Sequence, residues 1–179
     1  MTGEFNRLAL HMNDLLRKNL KKTITTSSLA LTKLPLYPKI SLYLISPDYP
    51  KGRLPDEEMH AIMSRPAYWA FCWASGQILA AHLVAHPEIC RNKTVLDLGA
   101  GSGVVTIAAA ISGAASVIAC DLDKHALDAL VADSRIHDES VFKGFEKIGD
   151  ISATTIPDLD ELKEFGDVTI YYRKYHQVI

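Results

Sequence analysis

The clearest chemical signal in this sequence is a set of three glycines between two apolar segments. Residues 94–98 form a short, mostly apolar run that predicts a buried strand, and residues 104–111 predict an apolar helix. Between them, Gly99, Gly101 and Gly103 occupy alternate positions. Because glycine has no Cβ, a ligand can lie against the backbone there, and the following helix presents unpaired N–H groups at its positive end. The pattern therefore predicts a ligand-binding loop.

Two carboxylates accompany this loop. Asp97 precedes the first glycine by two positions, and Asp121 ends a second apolar run, residues 116–121, that predicts another buried strand. An acid roughly 20 residues beyond such a glycine loop typically accepts hydrogen bonds from the ribose hydroxyls of a nucleotide. The sequence therefore predicts a ligand with a ribose, held by Asp121.

Two segments carry a family resemblance. Residues 97–103, Asp-Leu-Gly-Ala-Gly-Ser-Gly, resemble the first motif of class I S-adenosylmethionine-dependent methyltransferases, and Asp121 resembles their ribose-binding acid. Residues 65–77, Arg-Pro-Ala-Tyr-Trp-Ala-Phe-Cys-Trp-Ala-Ser-Gly-Gln, resemble the segment before that motif in the lysine methyltransferases of the electron-transfer flavoprotein beta subunit. Ribosomal protein L11 methyltransferases are similar more loosely. The resemblance covers about residues 34–130 and is fragmentary beyond them.

This resemblance implies S-adenosylmethionine as the cofactor and a protein lysine as the methyl acceptor. It implies that the glycines shape the loop under the methionine part, that Asp97 orients the loop or the cofactor's amine, and that Asp121 binds the ribose. It also implies that Trp73 and Ser75 line the pocket and that Leu122 packs near the adenine. The expected cofactor-binding residues are Trp73, Ser75, Asp97, Gly99, Gly101, Gly103, Asp121 and Leu122.

The expected fold is α/β, a Rossmann-like class I methyltransferase sheet that ends in an antiparallel hairpin, for which residues 148–156 and 167–173 are the candidate strands. In the family, three strands lie between the ribose acid and this hairpin, and the chain after Asp121 is too short for all of them. The family's catalytic Asp-x-x-Tyr segment has no counterpart, so the catalytic residues are unknown.

A second expectation follows from residues 131–135, which resemble the end of the family's fifth strand but come directly after Leu130. We therefore expect the middle strands to be missing and the domain to be interrupted near residues 130–131. The alternative is one continuous helix through Leu127, Leu130, Val131 and Ser134, which the spacing permits.

The domain organisation follows from the same patterns. Residues 1–65 are expected to form an N-terminal helix, a strand at 40–45 and a polar loop at 48–58, which by resemblance cover the site. Residues 66–179 are expected to form the methyltransferase domain. A helix after Pro66 would place Trp69 and Trp73 on one face. His125, in the first turn of another helix, is expected to be solvated.

Composition limits the other classes of function. A net charge of −2 gives no field for nucleic-acid binding, and no apolar run approaches the length of a membrane span. Three dispersed cysteines without CxxC spacing argue for a reducing compartment and against zinc or disulfides. With no signal-peptide pattern at the start, we expect a cytoplasmic protein without a metal; the oligomeric state and the methyl acceptor stay open.

Three alternatives compete with a methyltransferase. A nicotinamide-binding enzyme would have the spacing G-x-G-x-x-G, whereas this loop has G-x-G-x-G. A purely structural glycine turn would need neither Asp121 nor the Trp-rich segment. A chain that binds the cofactor without catalysis could act as a regulatory or interaction module.

Overall fold

A computed structural model of the chain describes residues 2–137, 145–152 and 169–176, with side chains described within residues 11–137. The first part contains a long helix, a two-stranded antiparallel hairpin and a shorter helix. These elements are α1 (Thr2–Lys21), β1 (Leu29–Lys33), β2 (Ser41–Ile45) and α2 (Asp56–Ser64). The expected strand at residues 40–45 is therefore confirmed as β2, and β1 is its partner.

The second part is an alternating arrangement of helices and strands around a four-stranded sheet. Its elements are α3 (Ala74–Ala85), β3 (Thr94–Leu98), α4 (Val104–Ile111), β4 (Ser116–Asp121), α5 (Lys124–Ser134), β5 (Phe145–Ser152) and β6 (Thr169–His176). Short 3₁₀ helices lie at Tyr68–Ala70 and Pro87–Ile89. The predicted α/β class is confirmed at this level.

The sheet brings the two predicted site strands together. β3 and β4 are parallel, with Thr94 opposite Ser116 and Leu98 opposite Cys120, so both strands end at the same edge. β6 pairs antiparallel with β4, and β5 pairs antiparallel with β6, giving the order β3-β4-β6-β5. The antiparallel pairing of the last two strands matches expectation. Residues 153–156 and 167–168 of those predicted strands lie outside the described residues.

Two apolar clusters meet along α5. Leu127 and Leu130 are fully buried against α4 and β4, whereas Ala126 and Ala129 pack in the cluster that contains Leu16 of α1. Helical spacing explains this division, since positions three apart share a face while adjacent positions point to different sides. α5 thus packs against both α1 and the sheet.

The expected interruption near residues 130–131 is wrong. Residues 124–134 form one continuous helix, α5, and the strand-like reading of residues 131–135 fails with it. Apolar residues at helical spacing decide the outcome, because Leu127 and Leu130 can both reach the core from a helix. Within the described residues, β6 occupies the place beside β4, and β3 pairs with β4 alone.

Two local expectations also need correction. The polar segment 48–58 is not a loop throughout, because α2 begins at Asp56 and Glu58 is buried. The helix expected after Pro66 begins only at Ala74, so Trp69 and Trp73 do not share a helical face. None of the described helices is long and apolar enough to cross a membrane.

Candidate functional site

A cavity of about 850 Å³ opens at the carboxyl ends of β3 and β4. This is the edge of an α/β sheet at which ligands usually bind, and the volume falls in the range of small-molecule sites. Its walls come from the end of α2, the segment before α3, the glycine loop and the start of α5. The lining residues are Ser64, Arg65, Pro66, Tyr68, Trp73, Leu98, Gly99, Gly101, Asp121, Leu122, Asp123, Lys124 and His125.

The three glycines of the loop have different roles. Gly99, Gly101 and Gly103 have φ values of 77°, 52° and 75°, the left-handed region that favours glycine. A Cβ on Gly99 would meet no protein atom within 4 Å, and one on Gly101 would come no closer than 3.8 Å, to the carbonyl oxygen of Gly99. The backbone of these two glycines is therefore bare at the cavity, and the space that a side chain would fill stays open to a ligand.

Gly103 instead allows close packing of two helices. A Cβ at this position would lie 2.5 Å from Cδ1 of Leu130, which is fully buried in α5. Gly103 was expected to lie under the cofactor. It is absent from the cavity wall and packs against α5. The helix that begins at Val104 thus presses against α5 through the glycine.

Asp121 joins the two strand ends. Its Oδ2 accepts the backbone N–H of Gly101 at 2.7 Å, and its Oδ1 accepts that of Asp123 at 2.8 Å. Each carboxylate oxygen has a further lone pair, so Asp121 can still accept hydrogen bonds from the cavity. The carboxylate therefore fixes the loop and presents acceptors to a ligand in the same place.

Asp97 lies behind the loop rather than on the cavity wall. Its Oδ2 accepts the hydroxyl of Thr106 at 2.5 Å, which ties β3 to the first turn of α4. Burial raises the pKa of Asp97, hydrogen bonds from Thr106 oppose the rise, and the charge of Asp121 adds to it. Of its two expected roles, this arrangement favours orientation of the loop over contact with the cofactor's amine.

The two tryptophans lie in different environments. Trp73 is 58% exposed, lines the cavity and contacts the rings of Tyr68 and Phe71, each at a centroid distance of 6.1 Å. Trp69 is 2% exposed and belongs to the core beneath α1. Leu122 is 63% exposed and lines the same cavity, so Trp73 and Leu122 both offer apolar surface on which a flat ring could pack.

Five of the eight expected residues therefore line one cavity, namely Trp73, Gly99, Gly101, Asp121 and Leu122. Asp97 and Gly103 support the cavity from behind, and Ser75 is an exposed residue in the first turn of α3 outside the lining set.

Sequence reasoning missed the contribution of α2. Ser64, Arg65 and Pro66 line the cavity at the end of this helix. The helix is held by Glu58, whose carboxylate accepts four hydrogen bonds, from the backbone N–H and the hydroxyl groups of Thr25 and Thr26. Burial works against ionisation of Glu58, but these four bonds together outweigh it and lower its pKa. A buried Glu in a polar segment gave no local signal.

His125 is the other correction at the site. It is 5% exposed rather than solvated, and it lines the cavity from the first turn of α5. Its ring nitrogens face Lys22, which directly follows α1, and Asp128 of α5. Lys22 is distant in sequence, so helical spacing alone could not reveal the burial.

Known proteins with similar sequences are methyltransferases. The ribosomal protein L11 methyltransferase (PrmA) family matches residues 83–142. Electron transfer flavoprotein beta subunit lysine methyltransferase is 35% identical in Rattus norvegicus over 130 residues, which is 73% of this chain and 47% of the relative. The Homo sapiens protein of that name is 38% identical over 58% of this chain and 36% of its own. The Danio rerio protein is 42% identical over 49% of this chain and 33% of its own.

These matches confirm the resemblance to this group of methyltransferases, and residues 97–103 lie within the PrmA match. The chain spans less than half of the length of these curated relatives. No solved structure shows a significant match to the chain.

Proposed function

We propose that this chain, a homologue of the electron transfer flavoprotein beta subunit lysine methyltransferases, is an S-adenosylmethionine-dependent methyltransferase that acts on a protein lysine. One observation carries the proposal: the bare backbone of Gly99 and Gly101 and the carboxylate of Asp121 face the same cavity. The name of the family alone would not identify these residues as the binding site.

The residues at the cavity fit the chemistry of this cofactor. The ribose hydroxyls would donate to the remaining lone pairs of Asp121, and the methionine part would lie along Gly99 and Gly101, where a side chain would otherwise occupy the space. The adenine would pack on the apolar surfaces of Trp73 and Leu122. Asp97 would act through Thr106 by fixing the loop.

The same assignment sets the finer description of the fold. We assign the β3–α4–β4 unit to a Rossmann-like, class I methyltransferase half-site, because two parallel strands with a glycine loop between them end at the cavity. Residues 66–179 would then be the methyltransferase domain without an interruption at 130–131. Residues 1–65 would cover the site, with α2 as the part that reaches the cavity.

Methyl transfer places specific demands on the acceptor side. The bound cofactor supplies an electrophilic methyl group on its sulfonium. A lysine amine must be neutral to attack it, although its ordinary pKa is about 10.4. An apolar cavity wall at the acceptor, to which Leu98 contributes, would favour the neutral amine, because an apolar environment disfavours the charged form. Alignment of the amine with the methyl group would supply the rest of the rate enhancement.

The first acceptor to test is the electron transfer flavoprotein beta subunit, since the relatives' names state that substrate. The purified chain should transfer a radiolabelled methyl group from S-adenosylmethionine to a lysine of that subunit, located by mass spectrometry. Asp121→Ala should reduce the transfer, while Glu88→Gln, at an exposed carboxylate outside the cavity lining, should change it little.

Two other results would have distinct meanings. Cofactor binding without transfer to any protein would favour the regulatory module, an alternative that the names of these relatives do not support. A chain that does not bind S-adenosylmethionine, or that binds NADH in its place, would overturn the proposed function.

A further inference from the structure

Four polar residues connect α1 to the first turns of α5. Lys22 donates to Oδ1 of Asn19 at 2.9 Å, and Nδ2 of Asn19 donates to Oδ2 of Asp128 at 3.2 Å. The ring of His125 closes the set, with Nε2 3.4 Å from Nζ of Lys22 and Nδ1 3.5 Å from Oδ2 of Asp128. We call Asn19, Lys22, His125 and Asp128 the α1–α5 polar cluster.

The chemistry of the partners selects one form of the imidazole. An ammonium group only donates hydrogen bonds, so Nε2 of His125 must present a lone pair to Lys22. A carboxylate only accepts, so Nδ1 must carry the hydrogen that faces Asp128. The Nδ1–H tautomer of His125 is therefore the one that suits both partners. Asn19 is consistent with this assignment, because its oxygen accepts from Lys22 while its nitrogen donates to Asp128.

A chain of hydrogen bonds runs from His125 to the glycine loop. The backbone N–H of His125 donates to Oδ1 of Asp123 at 2.9 Å, and the backbone N–H of Asp123 donates to Asp121 at 2.8 Å. Asp121 in turn accepts from Gly101 at 2.7 Å. Because each link fixes the next one, the position of the His125 ring affects the carboxylate that faces the cavity.

We propose that Lys22 and Asn19 are positioning residues for cofactor binding: they fix His125 in one tautomer and thereby hold the first turn of α5 and Asp121 in place. This inference rests on the proposed function, since it concerns affinity for S-adenosylmethionine. It assigns a role to α1, which contributes no residue to the cavity wall within the described residues. The helix acts on the site through α5.

The direct test is calorimetric affinity for S-adenosylmethionine in the full chain. Lys22→Met keeps the apolar stem but removes the ammonium, and Kd should rise about fivefold, the factor that corresponds to one hydrogen bond. Lys22→Arg restores donors and should recover most of the affinity. The matched control is Lys18→Met in the last turn of α1, an exposed lysine that makes no hydrogen bond to the cluster, and its Kd should equal that of the parent.

A second readout separates positioning from a general effect on folding. Nitrogen-15 spectra of the imidazoles, with His125 identified through a His125→Gln variant, should show the Nδ1–H tautomer in the parent and a mixture of tautomers in Lys22→Met. Thermal unfolding should show that Lys22→Met and Lys18→Met stay folded at the temperature of the titration, since both lysine side chains are exposed.

Three outcomes decide the matter. Weaker binding by Lys22→Met together with the change of tautomer would support the inference. A Lys22→Met variant that binds as tightly as a binding-competent parent, or an Nε2–H tautomer in the parent, would overturn it alone. A parent that does not bind S-adenosylmethionine would overturn the proposed function and the inference together.

Discussion

Gly103→Ala and Gly101→Ala form a matched pair of substitutions: the first should mainly reduce stability, and the second should mainly reduce cofactor affinity. Both glycines have positive φ, so an alanine at either position costs roughly 1–2 kcal/mol of backbone strain. At Gly103 the new methyl group would also approach Leu130 to 2.5 Å, and overpacking of this kind adds roughly 1–3 kcal/mol. Gly103→Ala should therefore lower the free energy of unfolding by about 2–5 kcal/mol, and Gly101→Ala by about 1–2 kcal/mol.

A double-mutant cycle isolates the contact with α5. Leu130→Ala removes the atom that the new methyl group would meet, at its own cost of about 2–5 kcal/mol, because Leu130 is fully buried. In that background Gly103→Ala should retain its backbone strain and the milder 3.2 Å approach to Cβ of residue 130, so the coupling energy should be about 1–3 kcal/mol. Urea unfolding followed by circular dichroism measures all four variants. An equal effect of Gly103→Ala in both backgrounds would refute the packing argument.

The effect on binding should run the other way. Gly101→Ala remains the better folded variant of the pair, but its methyl group occupies space in which we propose that the cofactor lies. Its affinity for S-adenosylmethionine should therefore fall well below that of the parent. If Gly101→Ala binds as tightly as the parent, the loop at that position is a structural turn.

Three further predictions concern buried carboxyl groups and the tryptophans. Glu58→Gln should lower the free energy of unfolding by about 1–3 kcal/mol at neutral pH. Because the folded-state pKa of Glu58 is lowered, the stability advantage of the parent should disappear as pH falls through that pKa. A difference in stability that stays unchanged in acid would contradict this. Burial raises the pKa of Asp133 well above its ordinary value, although the hydrogen bond from the backbone of Tyr43 opposes the rise. The folded state therefore binds the proton more tightly than the unfolded state. The parent should lose stability as pH rises from the unfolded-state pKa through the folded-state pKa. Asp133→Asn keeps an oxygen for that N–H and should remove this loss, which unfolding curves across the pH range would reveal; a loss that persists in the variant would exclude Asp133 as its source. Since Trp73 lines the cavity and Trp69 is buried in the core, Trp73→Phe should abolish the change in fluorescence on cofactor binding, whereas a change that survives in Trp73→Phe and vanishes in Trp69→Phe would contradict the assignment.

The centre of the site could be predicted from sequence because its signals are local. The strand, the glycine loop, the helix and the strand that ends at Asp121 lie within residues 94–121, and their order in the chain nearly determines their contacts. The loop residues Gly99 and Gly101 followed from this unit. Leu122 and Trp73 lie outside it and required the family resemblance.

What could not be predicted depends on contacts between distant segments. His125 is buried where Asn19 of α1 and Lys22, directly after α1, meet α5, and Glu58 is buried where Thr25 and Thr26 surround its carboxylate. Neither partner is marked by a local pattern. The continuity of α5 was misjudged for a related reason, since residues 131–135 suit a strand by resemblance, whereas packing of Leu130 against the core favours the helix.

The most direct test of the proposed site is isothermal titration of S-adenosylmethionine into the full chain and into Asp121→Ala. Loss of charge-assisted hydrogen bonds from the ribose should weaken binding about 10- to 100-fold, whereas Glu88→Gln, a change at an exposed carboxylate outside the cavity lining, should keep an affinity close to that of the parent. Equal affinity in the parent and Asp121→Ala would contradict the assignment of Asp121 to the ribose, and with it the proposed location of the cofactor.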